Sequence, residues 1–227
     1  MPDAEPILTS DAPADPAVRA DASPAAAVRK RPKPGERRVQ ILQALATMLE
    51  QPGAERITTA ALAARLDVSE AALYRHFASK AQMFEGLIEF IEQSVFTLIN
   101  QILERPASVG DPAAASARQA AAIVTMLVQF AERNPGMTRV MVGDALVFEH
   151  ERLQQRMNQF FDKIESTLRQ CLRAGMAADP SDTPTVDVQV CASLLTSFVV
   201  GRLQRYARSG FRRLPSEHLD ASLARIL

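Results

Sequence analysis

Residues 57–80, ITTAALAARLDVSEAALYRHFASK, read as two short helices joined by a tight turn and running into the start of a third. Thr58 or Thr59 can cap the first helix, in which Leu62 and Leu66 lie one turn apart on one face. Asp67 occupies the turn, where an aspartate tolerates left-handed backbone better than most residues. Ser69 opens the second helix with a capping hydroxyl, and Glu70 follows as an acid in its first turn. Leu73 and Phe77, four apart, turn this helix toward a core and leave Ser69, Glu70, Ala71 and Tyr74 facing outward. Ser79 caps the next helix, with Lys80 in its first turn. A cation there opposes the helix dipole but suits a phosphate bound by the exposed amides. Two short helices set at a tight turn are the minimal device for laying a row of side chains into a DNA major groove. Double-stranded DNA is the expected partner.

Helical periodicity continues on both sides of this motif, and no alternating strand pattern is present. Upstream, Ile41, Leu45 and Leu49 form one stripe, broken at Pro52-Gly53, so residues 35–80 read as a three-helix head. Downstream, a long helix from Lys80 to about Glu104 carries Phe84, Ile88, Ile91, Val95, Leu98 and Ile102 in steps of four and three. A connector near 105–112 precedes a helix over 113–133, which stops at Asn134-Pro135-Gly136. After a short piece to Gly143, a helix to about Ala174 aligns Leu153, Met157, Phe160, Ile164, Leu168 and Cys171. A loop near 178–184, a helix over about 186–209 and a short helix after Pro215 complete an all-α chain, with residues 81–227 as a helical body. The helix over 186–209 is apolar around much of its girth yet studded with Ala192, Ser193, Thr196, Ser197 and Gly201. Small residues let backbones approach closely, so this helix and the preceding long one are expected to build a four-helix homodimer interface, the other reading being burial within one subunit. A two-fold dimer places its recognition helices about 34 Å apart, on a near-palindromic site.

Charge follows the same division. The formal net charge is zero, but residues 1–26 sum to −4 and residues 27–80 to +5. The neutral total hides a basic module of the sign a phosphate backbone attracts. Residues 1–34 are rich in proline and alanine and read as a disordered tail, ending in the basic arm Arg29-Lys30-Arg31-Pro32-Lys33. That arm is either a solubilising tail or a tracker of DNA phosphates. The first 26 residues lack the apolar run of a secretory signal. The charge-free stretches 119–131 and 188–201 are shorter than the roughly 18–20 residues that span a bilayer. A cytoplasmic protein with no membrane segment is expected. Cys171 and Cys191 sit in apolar helical patterns, as buried thiols or, alternatively, as a disulfide or redox pair. No glycine-rich phosphate loop, metal-ligand spacing or nucleophile–base constellation is present, so neither catalysis nor a cofactor or metal is expected.

The string LYRHF followed by a helix starting at SK resembles the TetR family of DNA-binding regulators, and the resemblance runs from Glu36 to about Ser209. In the body, MFEGLIEFIE, ERNPGMTRVMVGDALVFEHERLQQRMNQFFDKIE and LRQCLR resemble a nucleoid-occlusion branch of that family. Family members often have glycine where this chain has Asp67, and the acidic extension before Arg29 is longer than the resemblance explains. The resemblance implies phosphate contacts from Tyr74, His76 and Lys80, whose phenol, imidazole and ammonium can all donate to phosphate oxygens. It leaves base reading to Thr58 with Ser69, Glu70 and Ala71, and counts Thr59 among the DNA-binding residues; a carboxylate can accept from a cytosine amino group and a small side chain can meet a thymine methyl.

That branch implies a protein that, when bound to DNA, antagonises polymers of the division protein FtsZ and keeps the division ring off the nucleoid. It also implies a groove for the FtsZ C-terminal tail, lined by Phe90, Met126, Gln129, Arg133 and Asn134, with Arg133 meeting carboxylates of the tail. Phe90 shares a secondary apolar row with Met83 and Leu87. The alternatives are that Phe90 and Met126 are core and that Arg133 caps a helix, and that the chain is an ordinary ligand-responsive TetR repressor.

Overall fold

Helix-compatible spacing runs through the chain from Glu36 onward, and among the described residues the backbone follows it. The computed structural model describes residues 35–51, 57–105, 111–176 and 184–227; among them every regular element is helical. The tail with its basic arm, the break at Pro52-Gly53 and the centres of the loops near 105–112 and 178–184 lie outside the described residues.

Helix α1 (Glu36–Leu49) buries the expected stripe of Ile41, Leu45 and Leu49, together with Leu42. Helix α2 (Thr59–Arg65) buries Leu62 and Ala63, and α3 (Glu70–Tyr74) contributes only Leu73. Phe77, just beyond α3, is fully buried. Of the two threonines, Thr58 is the cap: its Oγ1 accepts from the Ala61 amide at 3.1 Å. Ser69 caps α3 by accepting from the Ala72 amide. Asp67 holds the turn at φ 54°, and the Val68 amide donates back to the Ala63 carbonyl at 3.1 Å to close it.

Helix α4 (Lys80–Leu103) starts with a reciprocal cap, Ser79 Oγ accepting from the Gln82 amide and Gln82 Oε1 accepting from the Ala78 amide. Its first turns belong to the head. Met83, Phe84, Leu87 and Ile88 are buried there, and a Cβ on Gly86 would lie 3.0 Å from the Phe77 ring. This corrects the sequence reading of Met83 and Leu87 as part of a spare apolar row, because both are fully buried. Further along, Ile99 is buried and Leu98 half-buried. Seven residues separate Val95 from Ile102, and a 3.6-residue period accommodates either intermediate position.

The body packs α4 against α5 (Pro112–Arg133), α5 against α7 (Glu151–Met176) and α7 against α8 (Pro184–Arg208). The α7 stripe of Leu153, Met157, Phe160, Ile164, Leu168 and Cys171 is buried as read, each large side chain contributing about 2 kcal/mol. Both cysteines are free. Helix α6 (Pro135–Met141) links head and body so closely that a Cβ on Gly136 would lie 1.8 Å from the Ala46 carbonyl oxygen. A 3₁₀ turn (Asp144–Leu146) leads into α7, and α9 (Leu219–Ile226) ends the chain.

The small residues of α8 divide between two faces. Ala192 and Thr196 are buried within the protomer, whereas Ser193, Ser197 and Gly201 are exposed. The exposed row also carries Val190 and Leu194, both more than half exposed, and a Cβ on Gly201 would meet nothing. The outward residues of α7, including Glu151, Gln155, Asn158 and Asp162, are polar, so the apolar part of this outer surface belongs to α8. No described helix is long and apolar enough to cross a membrane.

Candidate DNA-reading face and body groove

The α2–turn–α3 unit buries three side chains through its two helices, holds Thr59, Leu66, Val68 and Ala72 half-buried, and exposes the others, which makes one polar face. Thr58, Ser69, Glu70, Ala71, Tyr74 and His76 are exposed, and Thr59 is half-buried beside them. Thr59 organises the row: its hydroxyl donates to Glu70 Oε2 at 2.6 Å and accepts from the Tyr74 hydroxyl at 3.4 Å. One oxygen of Glu70 is therefore engaged within the protein. Arg38, on α1, donates to the His76 carbonyl at 3.3 Å and lies over the Phe77 ring at 4.3 Å, fixing the backbone that carries His76. Arg38 is absent from the residues singled out in the sequence, because nothing in α1 marks which arginine reaches 38 positions downstream. Arg75, exposed between Tyr74 and His76, adds a cation to the face and is legible in the LYRHF string itself.

Lys80 lines the same small packing gap as Thr58 and Thr59. Its ammonium is not free: Nζ stands 2.5 Å from Glu149 Oε1, in the segment between the 3₁₀ turn and α7. Two further pairs continue along the α4–α7 seam, Glu85 with Arg152 at 2.6 Å and Glu92 with Arg156 at 2.6 Å. Hydrogen bonding to Glu92, reinforced by the charges of Glu92, Glu89 and Glu85, holds the Arg156 guanidinium even more firmly protonated than usual. The charges at the start of α4 are thus tied to the body.

The second feature is an open groove of about 850 Å³ along one face of α5, walled by the second half of α4 and by α9. Met126, Gln129, Arg133 and Asn134 all line it. Its floor is apolar (Leu98, Ala121, Met126, Phe130, Leu223), and Arg105, Arg118 and Arg133 stand among its lining residues. Phe90 is 38% exposed but is not among the lining residues of this groove. It precedes Leu98 by eight residues on α4, about 12 Å along the axis. The structure thus brings four of the five residues together and leaves Phe90 as a separate exposed ring. Asn134 also serves the backbone: its Nδ2 donates to the Phe130 carbonyl at 2.7 Å where α5 ends and α6 begins. The wall supplied by α9 is a contribution that no spacing within α5 could announce. Among the described residues no group of three His, Cys, Asp or Glu could hold a metal ion.

Residues 41–87 match the family described as bacterial regulatory proteins, tetR family, and residues 117–225 match the tetracyclin repressor-like C-terminal domain of the SlmA-like type. The chain is 51% identical over 185 residues to the nucleoid occlusion factor SlmA of Idiomarina loihiensis, covering 82% of this chain and 90% of that protein. It is 50% identical over 185 residues to SlmA of Vibrio cholerae, covering 81% and 90%. In fold it is similar to the transcriptional regulator FadR from Bacillus subtilis, whose crystal structure contains stearoyl-CoA, with a TM-score of 0.63, 12% identity and coverage of 83% and 96%. The chain therefore belongs to the TetR family of DNA-binding regulators, proteins that are not enzymes, and within it to the nucleoid occlusion factor SlmA group.

Proposed function

We propose that this protein is a nucleoid occlusion factor: a homodimer that binds near-palindromic chromosomal sites and, when DNA-bound, antagonises FtsZ polymerisation. In this assignment residues 35–80 read DNA, with Thr58, Thr59, Ser69, Glu70 and Ala71 toward bases and Tyr74, His76 and Lys80 toward phosphates. Residues 81–227 dimerise through the exposed row of α8 and receive the FtsZ C-terminal tail in the α5 groove. The protein then acts in the cytoplasm, on the nucleoid. The observation that carries the proposal is the extent of the likeness: half-identity to SlmA spans 82% of the chain, far more than a DNA-binding head alone. The groove adds chemical sense, since an apolar floor beside arginines suits a peptide that presents both apolar and acidic side chains.

The test is FtsZ assembly, followed by sedimentation with and without a bound duplex. The DNA-bound protein is expected to lower the pelleted fraction, and Arg133→Asp to abolish that effect while binding DNA as before. Undiminished FtsZ assembly in the presence of the DNA-bound wild type would reject the proposal. The groove volume favours one second reading, a repressor whose DNA is released by an apolar ligand. Release of the duplex by a small molecule, with no response to the FtsZ tail peptide, is the outcome that would select it.

A further inference from the structure

A lysine at the start of α4, beside the DNA-reading threonines, offers a positive charge to a phosphate only if that charge is available. Here it is shared. Lys80 Nζ lies 2.5 Å from Glu149 Oε1, and the two side chains differ in exposure, 32% for Lys80 and 9% for Glu149. The carboxylate is the more enclosed partner, and an enclosed charge stripped of its counter-ion is costly, so the pair persists when DNA approaches. An ammonium has three donors. It can keep Glu149 and still give one hydrogen bond to a phosphate oxygen. What the pair does not provide is net charge. Non-specific affinity for DNA comes from counter-ions released as protein cations neutralise phosphates, so a cation already neutralised contributes nothing to that term.

We propose that Glu149 is a positioning and charge-masking residue for DNA binding: it aims Lys80 at a phosphate while cancelling its charge, lowering affinity for non-specific DNA more than for the specific site. This deepens, and rests on, the DNA contact assigned to the head. Glu149 lies 69 residues from Lys80 in the chain and outside both helices of the reading unit, so the masking is a product of the fold.

The experiment is a set of salt titrations of binding to a scrambled and a specific duplex. It uses the full-length wild type, Glu149→Gln, Lys80→Met and the double variant, each first shown by circular dichroism to be folded. Masking predicts that Glu149→Gln steepens the log–log salt slope by about one and tightens scrambled-duplex binding about eightfold at 0.1 M salt. It predicts that Lys80→Met, by leaving Glu149 as an unpaired negative charge near the phosphates, flattens the slope by about one, and that the double variant returns to the wild-type slope. If Lys80 acts instead as a free cation, Glu149→Gln leaves the slope unchanged and the double variant keeps the deficit of Lys80→Met; that pattern overturns the proposal. Loss of fold in Glu149→Gln with an unaltered slope in Glu149→Asp and a wild-type slope in the folded double variant would support it, because only the charge sum then matters. A wild type that binds neither duplex rejects the DNA assignment itself, and the masking role with it.

Discussion

Ser69 does two jobs with one hydroxyl, since it caps α3 and stands in the outward row. Helix α3 has five residues and a single buried side chain, so the cap is a large share of what holds it. Ser69→Ala is expected to cost about 1 kcal/mol of stability, measurable as a lowered midpoint in urea with an unchanged m-value. The Tyr74 hydroxyl already donates to Thr59. Tyr74→Phe is expected to weaken binding about fivefold on specific and scrambled duplexes alike, with the salt slope unaltered, as loss of one neutral hydrogen bond requires. A slope that falls with Tyr74→Phe would mean that the phenol positions a neighbouring cation instead.

Two glycines on different helices carry opposite consequences. Gly136, at the start of α6, has the Ala46 carbonyl oxygen where a Cβ would go, so Gly136→Ala must push α6 off α1. The expected cost is about 3 kcal/mol, read by calorimetry as a lowered melting temperature. Gly201, in α8, has open space at the same position, and Gly201→Ala adds about 1 kcal/mol of helix propensity to the protomer. The row that contains Gly201 is also the surface proposed to pair in the dimer. Leu194→Glu places a charge there and is expected to give a folded monomer by analytical ultracentrifugation. A dimer of unchanged stability in that variant would remove α8 from the interface.

Across the molecule, the core runs without interruption from α1 to α9, so events in one helix reach stability as a whole. Burial pushes the thiols of Cys171 and Cys191 and the phenol of Tyr206 up from their ordinary values of 9.0 and 10.0. Nearby Glu132 and Glu50 add to the shift of Tyr206. A raised value in the folded state means that the neutral form is favoured by folding. The associated stability is complete below the unfolded-state value and drains away as pH rises through the folded one. The protein is therefore expected to lose stability progressively above about pH 9, in thermal melts taken at constant ionic strength. At neutral pH, Cys171 should resist a thiol reagent until denaturant opens the core, and Cys191, half-buried, should react first.

Periodicity and capping chemistry are local, which is why the helices, the Asp67 turn, the head stripe and the α7 stripe could be read from residue order alone. The outward row Ser69, Glu70, Ala71 and Tyr74 was legible for the same reason, because Leu73 and Phe77 leave no other orientation. Which apolar residues face a neighbouring helix is not local. Met83 and Leu87 looked like spare surface until the neighbouring helices packed over them, and Ala192 and Ser193 separated onto a buried and an exposed face only when α7 packed against α8. Nor could spacing reveal that Phe90 falls outside the groove that gathers Met126, Gln129, Arg133 and Asn134, since α9 helps to define that groove. The partner of Lys80 is the plainest case. Periodicity places its charge at the first turn of α4, but only the packing of the segment before α7 brings Glu149 to it, because an ion pair depends on distance in space and sequence separation leaves that distance free.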